Sequence, residues 1–190
     1  MRSAPAAILG LLLAPAAQAA DPAALSYAPP LQPMSFVSEL RLGGSAQDPW
    51  SPERGSGNFT GEVLLRKPIA AVNLFTSYFV PRPHLGASLN TAGRTSFAYA
   101  GLTWTADLSP ALFLETSLGG AVHNGATGER VAIDQSALGC SPLFRESASL
   151  GVRLNARWSV VASVEHLINA GACQQNRGLT NLGARLGYTF

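Results

Sequence analysis

The chain has 190 residues, 13 basic and 11 acidic side chains for a formal net charge of +2, and only 13% charged residues. So even a balance excludes a basic nucleic-acid surface, and charge this sparse lies well below the roughly 25% of a soluble globular domain. Beyond the N-terminus no uninterrupted apolar run reaches the roughly 20 residues a spanning helix needs, so a closed β-barrel is the way this chain could face lipid.

The N-terminus reads as a secretory signal peptide. Arg2 supplies the positive region, Ala6 to Ala14 the apolar core, and Ala17-Gln18-Ala19 a small-residue cleavage site. A retained anchor is the alternative, and the shortness of the apolar core speaks against it. This divides the chain into a signal peptide at 1–19 and a single domain at 20–190, which opens on a Pro- and Ala-rich lead-in from Ala20 to Pro33.

From Ser35 the pattern has period two, the mark of strands with two unlike faces. In Phe36 to Gly43 the residues Phe36, Leu40 and Leu42 share one face and Glu39 and Arg41 the other. A turn-rich loop, Gly44 to Gly57, leads to a strand from Asn58 to Arg66, with Phe59, Val63 and Leu65 opposite Asn58, Thr60, Glu62 and Arg66. Lys67 to Pro83 is apolar but bounded by prolines, so it is expected to be a long periplasmic connection and not a ninth strand. The third strand, His84 to Asn90, alternates cleanly. The fourth, Ser96 to Ala106, separates its faces less well. The fifth, Ala111 to His123, sets Leu112, Leu114, Leu118 and Val122 against Glu115, Ser117, Gly119 and His123.

A long polar loop, Asn124 to Pro142, precedes the sixth strand, Leu143 to Leu154, where Ala148, Leu150 and Val152 oppose Ser147, Ser149, Gly151 and Arg153. Asn155-Ala156 is expected to make a two-residue hairpin turn. The seventh strand, Arg157 to Leu167, and the eighth, Leu179 to Phe190, complete the count. An even number of strands of this length, apolar on one face and polar on the other, predicts an all-β fold: an eight-stranded antiparallel up-and-down transmembrane barrel. A lipocalin-like soluble barrel also alternates, but its apolar face points inward. The charged second face, with Glu39, Arg41, Glu62, Arg66, Glu115, Arg153, Glu165 and Arg185 pairing inside, favours the membrane form. A small pore is a weaker reading, because a barrel of this size is filled by its own side chains.

The two cysteines, Cys140 and Cys173, fall in neighbouring loops on the extracellular side of this topology. An exported protein permits a disulfide between them, and two buried free thiols are the alternative. Neither has the cysteine or histidine neighbours of a zinc site. No metal cluster, phosphate loop or nucleotide motif appears, and no cofactor is expected.

Trp158, Val160, Ala162, Val164 and His166 alternate onto the lipid face of the seventh strand, and Ile168 continues the set if the strand persists. Thr180 belongs to the same face of the eighth strand. His166, Ile168 and Thr180 should therefore cluster near the outer-leaflet interface. A lone histidine there has bland explanations, an interfacial polar residue or a strand that has already ended, and spacing alone argues little for acid–base chemistry.

The run Glu165-His166-Leu167-Ile168-Asn169-Ala170-Gly171, with Asn176 and the closing Leu186-Gly187-Tyr188-Thr189-Phe190, resembles the end of the lipid A 3-O-deacylase family, whose motif is His-x-Ser-Asn-Ala. The likeness extends upstream through Leu138-Gly139-Cys140 and Glu146-Ser147-Ala148-Ser149-Leu150-Gly151. It implies an outer-membrane barrel of a Gram-negative bacterium that meets lipopolysaccharide in the outer leaflet. By the same likeness the C-terminal Tyr188-Thr189-Phe190 would be read by the outer-membrane assembly machinery. A homodimer is left open.

The resemblance further implies ester hydrolysis by a serine, a histidine and an acid, with donors for the oxyanion. Carried over, His166 is the base, and the backbone of Gly171 and the side chain of Asn176 are the oxyanion donors, with Asn169 and Ala170 completing the motif. Two positions depart. The nucleophile position is Ile168, which has no nucleophilic atom, and the acid position is Thr180, which cannot carry a negative charge. Ser147, Ser149 and Ser163 belong to inward faces, and Thr180 is a poor nucleophile. The expectation is a catalytically degenerate member of the family that keeps the fold and a lipid A contact surface. The alternative is an active deacylase with an unidentified nucleophile.

Overall fold

The computed structural model describes residues 36–70 and 73–190. The expected signal peptide, its cleavage site and the lead-in lie outside the described residues. Eight strands follow one another as β1 (Val37–Gln47), β2 (Ser56–Leu65), β3 (Arg82–Asn90), β4 (Phe97–Asp107), β5 (Leu112–His123), β6 (Leu143–Arg153), β7 (Trp158–Ile168) and β8 (Leu179–Thr189), with one short helix, α1 (Leu74–Phe79), between β2 and β3. Each strand pairs antiparallel with its sequence neighbours, and β1 pairs with β8 to close the barrel. Closure leaves no strand edge without a partner, which is what a wall in hydrocarbon requires.

The alternation of the sequence becomes the alternation of the wall. Leu42, Phe59, Leu85, Leu118, Val122 and Leu186 are exposed on the outside. Inside, Arg41 donates to Glu39 at 2.8 Å and to Glu115 at 2.6 Å, Arg185 donates to Glu62 at 3.1 Å, and Arg145 donates to Glu165 at 2.7 Å. The Arg145 guanidinium also lies 3.8 Å over the Tyr99 ring, and the Tyr99 hydroxyl donates to Glu62 at 3.1 Å. Buried charges are tolerable only when paired and hydrogen-bonded, and here they fill the lumen. Apolar side chains would have presented the opposite pattern in a lipocalin-like barrel.

Several sequence expectations need correction. The stretch from Lys67 to Pro83 holds no further full strand, but it is shorter than expected as a connection. It contains α1, started by a capping box between Asn73 and Thr76, and β3 begins two residues earlier than expected. A helix of six residues is too short to show a period in sequence. The early start matters, because Arg82 reaches inward to Glu39 at 2.9 Å and Glu115 at 2.7 Å. Arg66, expected inside, lies past the end of β2 and is exposed, while Leu64 takes the inward place.

β1 runs through Gly43 and Gly44 instead of ending there. At Gly43 the β8 backbone of Ala184 comes so close that any Cβ would collide with it, so these glycines serve barrel closure and not a loop. The turn between β6 and β7 takes the four residues 154–157, not Asn155-Ala156 alone. The Asn155 side chain accepts from the N–H groups of Arg157 at 2.9 Å and Trp158 at 3.0 Å. In β4 the faces were unclear because the inward set includes Phe97 and Tyr99. These join Ala121, Leu138, Leu143, Leu167 and Leu179 in an apolar plug at the loop end of the lumen.

Above this plug the loops are knitted together. Glu53, fully buried, accepts from Gln47 Nε2 at 2.8 Å, Thr95 Oγ1 at 2.7 Å and the Ser136 N–H at 3.0 Å. One carboxylate thereby joins the loops 48–55, 91–96 and 124–142. At the opposite rim Trp158, Tyr188 and Phe190 stack edge to face, with ring centroids 4.9 and 5.3 Å apart. Amphipathic aromatics belong at a membrane–water boundary.

Candidate active-site cluster on the outer wall

β7 continues to Ile168, so the outward set does include His166 and Ile168. In the β7–β8 register His166 stands opposite Thr180, and their side chains share a hydrogen bond of 2.8 Å between Nδ1 and Oγ1. The far edge of the imidazole lies against Gly178. A Cβ there would sit 2.9 Å from the ring Cε1, and the backbone has φ +72°, a left-handed value that glycine adopts without strain. Gly178 thus makes the space in which the ring lies over the start of β8.

The hydrogen bond fixes the direction of the ring. When Nδ1 donates to the threonine oxygen, Nε2 keeps its lone pair and is the base; when the Thr180 hydroxyl donates, Nδ1 is the acceptor and Nε2 carries the proton. Ile168, half-buried, closes the outward row of β7. Among the described residues, Ser147 and Ser163 lie on inward-facing positions, and Ser147 shares a 2.6 Å hydrogen bond with Ser117 across the lumen wall. The outward hydroxyl beside His166 is Thr180.

The loop after β7 is held by Asn169. This residue is buried, donates through Nδ2 to the Leu138 carbonyl at 2.9 Å and to the Gln175 carbonyl, and accepts from the Gly171 N–H at 2.9 Å. Its own N–H donates to Asn176 Oδ1 at 3.1 Å. Ala170 and Gly171 turn through left-handed backbone at φ 51° and 82°. Both residues expected to be oxyanion donors, Gly171 and Asn176, are therefore bound to Asn169 within one turn. The side chain of Asn169 serves this turn and does not face the outer wall. Cys140 and Cys173 form a disulfide with Cα atoms 6.1 Å apart. It fastens the loop 124–142 to the loop 169–178 above the strand end that carries His166.

Sequence reasoning missed Glu146. It sits on β6 directly opposite His166 and is exposed on the outer wall. The alternation itself held the signal: Glu146 falls in step with Ala148, Leu150 and Val152, not with the inward Arg145 and Ser147. Below it the wall is hollowed. Thr116, Leu118, Glu146, Ala148, Val164 and His166 border a depression of about 270 Å³.

A family model described as "Lipid A 3-O-deacylase (PagL)" matches residues 39–189. Among solved structures, the outer-membrane enzyme PagL is similar with a TM-score of 0.62 at 16% identity, over 80% of this chain and 100% of that one. A designed transmembrane β-barrel is similar with a TM-score of 0.52 at 10% identity, over 82% and 96%. Identities this low bear on the fold alone. No curated protein matches the chain.

Proposed function

The chain belongs to the lipid A 3-O-deacylase family, and on that premise we propose that it is an outer-membrane barrel whose hydrolytic site is retired. It keeps the family scaffold and a surface that meets lipid A, without cleaving it. One observation carries this reading: the residue two past His166 on the outward row is Ile168, and among the described residues the outward hydroxyl beside the imidazole is that of Thr180, a β-branched secondary alcohol that replaces a serine poorly. An esterase of this kind can lose much and retain some rate, but it cannot form an acyl-enzyme without a nucleophilic atom. We further propose that the signal peptide is removed on export and that the C-terminal Tyr188-Thr189-Phe190 directs assembly.

The second reading, a working deacylase, is favoured by the state of the base. His166 is oriented by Thr180 and seated over Gly178 as a base should be. Such an enzyme would cleave an ester-linked acyl chain of lipid A through a nucleophile that is not a serine at position 168.

The two readings separate in vitro. Purified protein is mixed with lipid A in detergent, and released fatty acid is followed by mass spectrometry beside His166→Ala. The retired-site reading expects equal, background release from both. Release that vanishes in His166→Ala would replace it with the second reading.

A further inference from the structure

We propose that Glu146 is the charge partner of His166, so that the two services of a relay carboxylate are divided between Thr180 and Glu146. The inference rests on the reading above, that this is a hydrolase site without its nucleophile, and it narrows what has been lost.

The placement of charge on the barrel is the first ground. In all eight strands the Asp, Glu, Lys, Arg and His side chains fall on inward positions, with two exceptions among the described residues, Glu146 and His166. These two are direct cross-strand partners. A carboxylate on the outward row of a barrel strand departs from the pattern of every other strand and is a reason to look for a use for it. Both side chains border the same depression.

The chemistry of the base is the second ground. A relay acid does two things for an imidazole: it accepts a hydrogen bond that fixes tautomer and direction, and its negative charge stabilises the imidazolium formed when the base takes a proton. Thr180 sets the direction of the ring from β8, with Oγ1 2.8 Å from Nδ1. It cannot perform the second. Directly opposed residues of an antiparallel pair have Cβ atoms roughly 4.5–5.5 Å apart, so the Glu146 side chain starts beside the ring on the β6 side, beyond direct ion-pair contact in this structure but able to approach it by side-chain rotation. Beside lipid, where the dielectric is low, a unit charge at close range acts far more strongly than in water. Direction and charge are therefore both within reach of the base, and the missing part is a single nucleophilic oxygen at position 168.

The test is a cycle of substitutions in the full chain, each variant checked for folding by the heat-dependent mobility of the barrel on gels, and fatty-acid release from lipid A as the readout. Ile168→Ser alone is expected to gain turnover over the parent. Adding Glu146→Gln should lower kcat by about tenfold or more with KM little changed, the pattern of a group that acts on the transition state. When Thr180→Glu is also present, a carboxylate again touches Nδ1, and Glu146→Gln should then cost less than about twofold, a non-additivity that direct coupling to His166 produces. A purely structural role for Glu146 predicts the same loss with and without Thr180→Glu, and that result overturns the proposal. So does an inactive Ile168→Ser. If Ile168→Ser/Thr180→Glu is then active, the retired-hydrolase reading stands and only the division of labour falls. If that double variant is also inactive, both fall.

Discussion

His166 and Thr180 meet across β7 and β8 with Nδ1 and Oγ1 2.8 Å apart, where the family resemblance implies an imidazole paired with a carboxylate. A neutral partner keeps the direction of the ring and gives up the charge. This accounts for an ordered outer-wall histidine beside isoleucine at position 168, and it ties the site to the space over Gly178.

Gly178→Ala tests that space. The added methyl would lie 2.9 Å from the ring Cε1 and would also have to accept a left-handed backbone. The imidazole should be displaced and its bond to Thr180 lost, while the barrel stays folded, because the change lies at the rim. In an Ile168→Ser background the variant should abolish any gained lipid A hydrolysis, with thermal stability lowered by about 1–2 kcal/mol at most for one strained residue. Unchanged turnover would show that the ring does not use this seat.

Arg41 carries the lumen. It donates to Glu39 and Glu115 and lies 3.6 Å from Glu62. Arg41→Ala would take one of two cations from each of Glu39, Glu115 and Glu62, leaving the first two to Arg82 and the third to Arg185, a loss of up to about 3–5 kcal/mol, the cost of one broken buried pair. Urea unfolding of the purified barrel should register a fall of that order. A loss below about 1 kcal/mol would mean that Arg82 and Arg185 compensate.

Glu53 binds three loops through one buried carboxylate. Glu53→Ala should leave the Thr95 hydroxyl and the Ser136 N–H without their acceptor, at about 1–3 kcal/mol for each group stranded. The effect should be local: faster protease nicking in the loops 48–55, 91–96 and 124–142, with the strands still protected. Protection of those loops equal to the parent would contradict the hub.

The Cys140–Cys173 bridge closes a segment of sequence separation 33. Loop-closure entropy for that length corresponds to about 3–4 kcal/mol, but the strands already tie the two loops, so the realised effect should be smaller. Reduction should leave the barrel folded and loosen the loop that carries Asn169. Hydrogen exchange at Gly171 and Asn176 reads this directly, and an unchanged rate would assign the order of that loop to Asn169 alone.

Much of the fold was legible because closure forces every strand to alternate. Leu42 against Arg41, or Leu114 against Glu115, reports its side of the wall from sequence alone. What escaped were features that alternation does not encode. Gly43 and Gly44 look like a loop until β8 is seen to press against them. α1 is too short for a period, and Arg82 gains its inward role because β3 begins before Pro83, a residue that ordinarily marks a strand boundary. Glu53 sits in a turn-rich stretch where a solvated carboxylate is the ordinary expectation, and it is held by two loops distant in sequence, through Thr95 and Ser136. For the site, the grouping of His166, Ile168 and Thr180 followed from spacing on one face. Glu146 shows its outward side by the same alternation, but its pairing with His166 depends on the β6–β7 register, which the sequence does not encode.

The central claim is that this family member does not cleave lipid A. Mass spectrometry of lipid A from cells that overproduce the chain, beside cells that lack it, tests it most directly. The account predicts identical acylation in the two. A lipid A species in the overproducing cells that lacks one ester-linked acyl chain, and that disappears with His166→Ala, would contradict it.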